Sequence, residues 1–316
     1  MANQPLIVEF WDVGQGDCSV LRVQKSRVIL IDVGPRNSPI VDWLILNPKI
    51  FVESIVLTHN HADHAGALAG VLDAARFRIG TVYFLDDRTK RDAQFVSVFS
   101  CLDAALRSNQ IGGILRLEAP QKIWSDSSCS LEVRFPNVSA NIQAGSPNKT
   151  AGILTLNVNG KDEVIWASDS LLESVHLTCG ACSPHYLVGP HHGAPEDRGH
   201  AEAQNWISEI GPQVTYLSVG KNKYGHPQPS YIRKNRIANA SVVCSQLTSL
   251  CDRTRKTDVV KSHARLGIPQ PNSGVACRGP VRLTLRGRTF VGDNLDNEHK
   301  EEIAKLERPK CIRWGN

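Results

Sequence analysis

"LTHNHADHAGALAG", residues 57–70, places His59, His61, Asp63 and His64 within six positions, between an apolar run and a segment rich in small residues. In an extended segment, residues two apart point to the same side, so His59 and His61 converge on one point. Asp63 and His64 open the helix predicted next and address a second point nearby. Imidazole suits zinc, manganese or iron, and a carboxylate suits the harder ions among them. These four groups, split between two neighbouring points, are the ligand pattern of a two-metal hydrolytic centre. The competing reading is a polar loop that happens to be rich in histidine. Capping of a helix N-terminus accounts for Asp63. It leaves the histidines unexplained.

Around this stretch the chain alternates between strand and helix patterns. "LIVEFWDV", "CSVLRV" and "RVILIDVG" read as strands of β-branched and apolar residues separated by turn signals. "SPIVDWLIL" has helical spacing with Ser38 as its cap. "SIVLTH" is a buried strand, and "AGALAGVLDAAR" one closely packed helix. "TVYFL", "SLEVRF", "GILTLNV" and "DEVIWASD" follow as strands, the last ending on Asp169, and "DAQFVSVFSCLDAALRS" as a helix. "HYLVGPHHG" and "QVTYLSVGKNKYGHP" are apolar strands running into His191, His192 and His226, with the helix "HAEAQNWISEI" between them. "SVVCSQL" and "VRLTLRG" are late strands, and "NEHKEEIAKLE" is a surface helix.

The balance of 41% hydrophobic and 21% charged residues is that of an ordinary soluble protein. No apolar run approaches the roughly 20 residues of a membrane span, and no secretion signal opens the chain. A cytoplasmic protein with no membrane partner is expected. No linker or repeat divides the sequence, so residues 1–316 are expected to form one α/β domain. A net charge of +5 is compatible with a phosphate-bearing partner. Nine cysteines without an export signal argue against a disulfide framework and for buried thiols. Cys179 and Cys182, in "CGAC", have a redox-type spacing without the surroundings of a redox fold.

"THNHADHAG", preceded by the strand "LIDVG" with Asp32, resembles the HxHxDH signature of the metallo-β-lactamase superfamily. The resemblance implies an αββα four-layer sandwich, two mixed β-sheets flanked by helices, with metals at one edge. "FWDVGQGDCSVLR", "ASD", "VGPHHGA" and "SVGKNKYGHPQP" are similar to the competence-type branch, the hydrolase domain at the end of ComEC DNA-uptake channels and its free-standing relatives. These motifs run from about residue 10 to 245.

The resemblance assigns His59 and His61 to one metal, Asp63 and His64 to the other, and Asp169 to the bridge. Of His191 and His192, one is a further ligand and the other catalytic or supporting. His226 is a ligand, a phosphate contact or a proton donor. Many relatives carry another histidine before the bridging aspartate, whereas residues 65–168 here contain none. Asn148 in "SPNKT" is the candidate substitute, as a weak ligand or substrate contact, which opens the choice between zinc and manganese. In "DVGQGD", Asp12 and Asp17, like Asp32, either orient metal-binding histidines through their free ring nitrogens or only close the turn.

From 251 to 280 the chain turns polar and basic, which reads as an insertion. Cys244, Cys251, His263 and Cys277 in and beside it are candidate ligands of a structural zinc, with unliganded thiols as the alternative. Three functions stand open. The first is a dinuclear phosphodiesterase cleaving DNA, with Asp63, Asp169, His192 and His226 catalytic and Lys221, Lys223, Arg233, Lys234 and Arg236 at the rim. The second is a hydrolase of small esters, lactones or phosphodiesters. The third is a non-catalytic component of a larger assembly, and a nuclease too could work with protein partners in a DNA-processing or defence system.

Overall fold

The computed structural model describes residues 5–86, 92–137, 147–194, 205–221, 224–248, 250–252 and 255–306. In the strand Arg27–Val33, Val28 and Leu30 enter one apolar layer while Ile29 and Ile31 enter another. Successive strand side chains point to opposite faces, so a strand buried on both sides lies inside a layered stack. One apolar layer separates the first sheet from its helices, a second lies between the sheets, and a third covers the outer face of the second sheet. This is the expected αββα sandwich.

The first sheet begins with β1 (Ile7–Phe10), β2 (Cys18–Gln24), β3 (Arg27–Val33), β4 (Phe51–Leu57), β5 (Ile79–Phe84) and β6 (Ile111–Arg116). The second holds β7 (Gln121–Ser125), β8 (Cys129–Phe135), β9 (Ile153–Val158), β10 (Lys161–Trp166), β11 (Tyr186–Val188), β12 (Val214–Leu217) and β13 (Ser241–Cys244). The chain then returns to the first sheet with β14 (Val281–Arg286), antiparallel to β1, and β15 (Thr289–Gly292). Each sheet is antiparallel in one half and parallel in the other, over β3 to β6 and over β10 to β13. Parallel pairs require crossovers, and these leave loops at the carboxyl ends of the strands, where α/β sheets build their sites. His59 follows β4, Asp169 follows β10, and His191 and His192 follow β11.

The crossovers supply the outer layers. Helices α1 (Ile40–Leu46), α2 (Ala62–Ala65), α3 (Leu68–Ala74) and α4 (Ala93–Arg107) cover the first sheet. Helices α5 (Leu172–Cys179), α6 (Trp206–Ile210) and α7 (Pro229–Ile237) cover the second, with α9 (Leu295–Ala304) beside them; α8 (Ser262–Leu266) lies within the 251–280 segment. Among the described residues no helix is long and apolar enough to cross a membrane.

Several local expectations are corrected. Ser38 does not cap α1, whose N-cap is Pro39 without a side-chain bond. The predicted helix over "AGALAGVLDAAR" is two, α2 and α3. At Gly66 an added Cβ would meet the Ala62 carbonyl at 2.1 Å and the Arg36 amide at 2.8 Å, and Gly34 engages the His64 carbonyl and the Ala67 amide. The loop at residues 34–36 thus takes the backbone partners that a continuous helix would use. Helix α9 is no free surface helix, since Leu295 and Ile303 enter the third apolar layer. Part of the predicted helix "HAEAQNWISEI", Lys223, and most of the polar loop before Asn148 lie outside the described residues.

The 251–280 segment is also better packed than its composition suggests. Val259, Val260 and Cys277 join the third layer, and Ile268 the first. Arg278 is fully buried; it donates to Asp296 at 2.6 Å and the Pro280 carbonyl at 2.8 Å, and pairs with Asp293. The proposed zinc quartet is not assembled. Among the described residues no three of Cys244, Cys251, His263 and Cys277 form a ligand group. Cys277 Sγ instead meets His299 Nε2 at 3.2 Å, and His263 Nε2 lies 3.4 Å from Asp12. Apolar packing and the buried arginine pair tie this segment down.

Candidate metal centre

The centre forms where the carboxyl ends of β4, β10 and β11 meet. His59 lies two residues beyond the end of β4, and His61 is the N-cap of α2 with φ −71° and ψ 152°. Asp63 and His64 lie on the first turn of α2. Asp169 emerges from a turn beyond β10, in which Ser168 has φ 49°. His191 and His192 occupy consecutive left-handed positions with φ 48° and 54°. Such conformations cost non-glycine residues roughly 1–2 kcal/mol each, so the surroundings must hold them. The His191 amide donates to the Ser168 carbonyl at 2.7 Å, and the Gln228 amide to the Gly193 carbonyl at 2.8 Å. His226 is thereby brought to the same edge, its ring 5.7 Å from that of His191.

Asp169 lies at the centre. Its Oδ2 is 3.3 Å from His59 Nε2, 3.7 Å from His61 Nδ1 and 3.7 Å from His191 Nε2. Its Oδ1 is 3.2 Å from His64 Nε2 and 3.5 Å from His192 Nε2. Asp63 Oδ2 joins the second group, 3.4 Å from His192 Nε2. Burial would raise the Asp169 carboxyl, but His64 and His59 outweigh it and hold it well below the usual carboxylate range. Burial would likewise lower His64, and Asp169 and Asp32 overcome it, so this ring is raised well above an ordinary histidine.

The donor set fits divalent cations. His59 Nε2, His64 Nε2, His192 Nε2 and Asp169 Oδ1 are all buried, face one another and make no hydrogen bond. Buried polar atoms are rarely left this way, and four in one place are the complement of a cation. Two overlapping ligand groups, His59–His64–Asp169 and Asp63–His64–His192, each have their ligand atoms within 4.8 Å of one another, consistent with a binuclear site.

The opposite ring nitrogens of His64 and His59 have partners. Asp32 Oδ2 accepts from His64 Nδ1 at 2.8 Å, and His59 Nδ1 faces Ser168 Oγ at 3.2 Å and Thr58 Oγ1 at 3.3 Å. Such partners fix the tautomer that leaves Nε2 for the metal. Asp17 lies behind His192 Nδ1 at 3.8 Å, and its amide donates to the Asp63 carbonyl at 3.2 Å. The approach is so close that a Cβ on Gly16 would sit 2.2 Å from the Asp63 carbonyl oxygen.

Asp12 takes the second of its two expected roles. It accepts from the Gly14 amide at 3.0 Å and faces His263, away from the ligand groups, so it closes the turn. The structure brings His191 and His192 to opposite oxygens of Asp169, His191 to Oδ2 and His192 to Oδ1. Asn148 Nδ2 meets His191 Nε2 at 3.2 Å. The contacts of Thr58 and Ser168 with His59 were missed in the sequence; only the strand-end position of each hinted at them.

Residues 11–98 match the family described as the Metallo-beta-lactamase superfamily. The two mixed β-sheets with flanking helices are consistent with the sandwich of that superfamily. No curated protein matches the chain. Among solved structures, it is similar to the short form of human tRNase Z at 14% identity, covering 69% of this chain and 93% of that one with a TM-score of 0.45. It is similar to a metallo hydrolase of the archaeon Ignicoccus hospitalis at 14% identity, covering 75% and 94% with a TM-score of 0.43. A long form RNase Z from yeast is 11% identical, with 72% and 39% covered and a TM-score of 0.40.

Proposed function

We propose that the protein is a metal-dependent phosphodiesterase that cleaves nucleic acid, DNA foremost, at the Asp169 centre. The observation that carries the hydrolytic part is the division of one carboxylate between two groups of imidazoles. A pair of divalent cations bound there, zinc or manganese, supplies Lewis acidity and a water of lowered pKa. His59, His61 and His191 would hold one ion, with Asn148 alongside. Asp63, His64 and His192 would hold the other, and Asp169 would span both.

This leaves His226 to address the substrate. Burial and the neighbouring His191 lower its ring to about 4, so at neutral pH it is uncharged and keeps one N–H. A neutral imidazole at the rim suits a hydrogen bond to a phosphoryl oxygen better than full proton donation to the leaving group.

The choice of nucleic acid rests on the competence-type motifs and on charge. Helix α7 starts three residues after His226 and carries Arg233, Lys234 and Arg236, with Lys221 exposed before it. Cations along the helix that follows the His226 loop suit a polyanion's backbone. Protein loaded with manganese or zinc is expected to nick circular DNA and fragment linear DNA. Asp63→Ala and Asp169→Ala are expected to lose at least about a thousandfold in rate, the scale of losing a major transition-state stabiliser. Absence of cleavage with either metal, or variants as active as the wild type, would overturn the proposal; cleavage of small esters alone would move the substrate class.

A further inference from the structure

At the same edge of the first sheet lies a second cavity, of about 330 Å³, lined by Phe84, Asp86, Phe95, Phe99, Ile114 and Arg116. It sits at the carboxyl ends of β5 and β6, under α4. These strands are the next two after β4 in the sheet, so the cavity lies within about 10 Å of β4, the strand that His59 follows by two residues. A direct link joins the two places. Asn60, between the metal-facing His59 and His61, donates from Nδ2 to the Leu85 carbonyl at 2.9 Å, next to Asp86 in the cavity wall.

The lining is specific in kind. Phe95 and Phe99, one turn apart on α4, present nearly parallel rings, 9° apart with centroids 6.2 Å from each other. Phe84 is tilted against Phe99 at the same 6.2 Å separation. Phe84 and Phe95 are buried, but Phe99 is 48% exposed and forms an open lip. Arg116 also lines the cavity and holds Asp86 through Nε at 3.1 Å, the arginine side chain 59% exposed and the aspartate side chain 9%. The cavity therefore combines flat apolar walls with a fixed donor–acceptor pair at one side. A purely aliphatic ligand would make no polar contact with that pair. A flat heterocycle with polar edges stacks on the rings and bonds to the pair.

We infer that this cavity is a nucleobase subsite, receiving an unpaired base of the strand whose phosphate lies at the Asp169 centre. The inference rests on the nucleic-acid reading above and deepens it. The base stacks on Phe99, its polar edge meets Asp86 and Arg116, and the exposed guanidinium meets the adjoining phosphate. A single strand, or a duplex locally opened, is then the form engaged. A base within a duplex cannot present its face to a phenyl ring.

The test uses the metal-loaded enzyme and single-stranded oligodeoxynucleotides, one set intact and one with a single abasic site moved stepwise past the cleaved bond. Phe99→Ala and Arg116→Ala are expected to raise KM for the intact strand roughly tenfold, the scale of one lost base stack, with kcat nearly unchanged. Phe99→Trp is expected to restore it. In the wild type, one abasic position should reproduce the loss, and Phe99→Ala should add nothing there, because the interacting partner is already gone. Unchanged KM in both variants would overturn the subsite while leaving the nuclease reading intact, as would an equal loss on every abasic strand. A wild type that cleaves no oligonucleotide would overturn that reading, and the subsite with it.

Discussion

Asp32 gives the residue scale its clearest test. One oxygen accepts the Thr58 amide at 2.8 Å, and the other accepts Thr58 Oγ1 at 2.7 Å and His64 Nδ1 at 2.8 Å. The residue holds this position with φ 54°, a conformation that asparagine also tolerates. Asp32→Asn therefore keeps the backbone but replaces one acceptor oxygen by a donor. With the oxygen kept on the Thr58 amide, the new amide group opposes the His64 N–H. Metal affinity measured by calorimetric titration is expected to fall 10- to 100-fold, the usual effect of losing such a partner; an unchanged affinity would remove Asp32 from the metal centre's support. At this scale much was legible. Fixed offsets in "HNHADH" announce ligand types, because side-chain direction follows local backbone. The roles of His191 and His192 were not legible. Adjacent residues normally diverge, and only two successive left-handed backbones aim both at one carboxylate.

At the scale of elements, β1 to β5 and α4 could be read because their apolar periodicity is strong and Asp92 caps α4 with a bond to the Phe95 amide. Strand β6 escaped, since "IGGILR" carries two glycines, of which Gly112 faces the Gly80 carbonyl of β5 closely. Strands β7 and β15 are short and half-exposed, and α5 has only a weak apolar face. Helix α9 read as polar because the residue it buries beside Leu295 and Ile303 is His299. Burial, reinforced by Arg278, lowers that ring from 6.5 to about 4. The unfolded chain then binds a proton more readily than the folded one between pH 6.5 and 4, so stability is fully present above 6.5 and falls with acidification through that window. The contribution is on the order of 3 kcal/mol. Urea unfolding at pH 7 and pH 4.5 is expected to show a shallower loss for His299→Gln than for the wild type. Parallel pH dependences would mean that α9 opens early enough to titrate without unfolding the rest.

At the scale of the whole molecule, the chain closes on itself. The N-terminal β1 pairs with β14 from Ile7 opposite Thr284 to Phe10 opposite Val281, and Phe10, Val281 and Leu283 enter the apolar layer shared with Trp166, Tyr186 and Tyr216 of the second sheet. Trp166 Nε1 also donates to Ser19 Oγ at 3.0 Å, a direct bond from one sheet to the other. The metal centre draws ligands from α2 beside the first sheet and from the loops after β10 and β11 of the second, so bound ions would clasp both halves from outside the core. Calorimetry is expected to give a single transition with calorimetric and van't Hoff enthalpies in agreement, which would make residues 1–316 one folding unit. Zinc or manganese at a hundredfold excess over its dissociation constant is expected to add about 2.7 kcal/mol, and chelation to reverse it. That gain should shrink sharply in Asp169→Ala, which removes the carboxylate joining the two ligand groups. Two separable transitions, only one of them responding to metal, would show that the sheets fold independently and that the centre belongs to one of them alone.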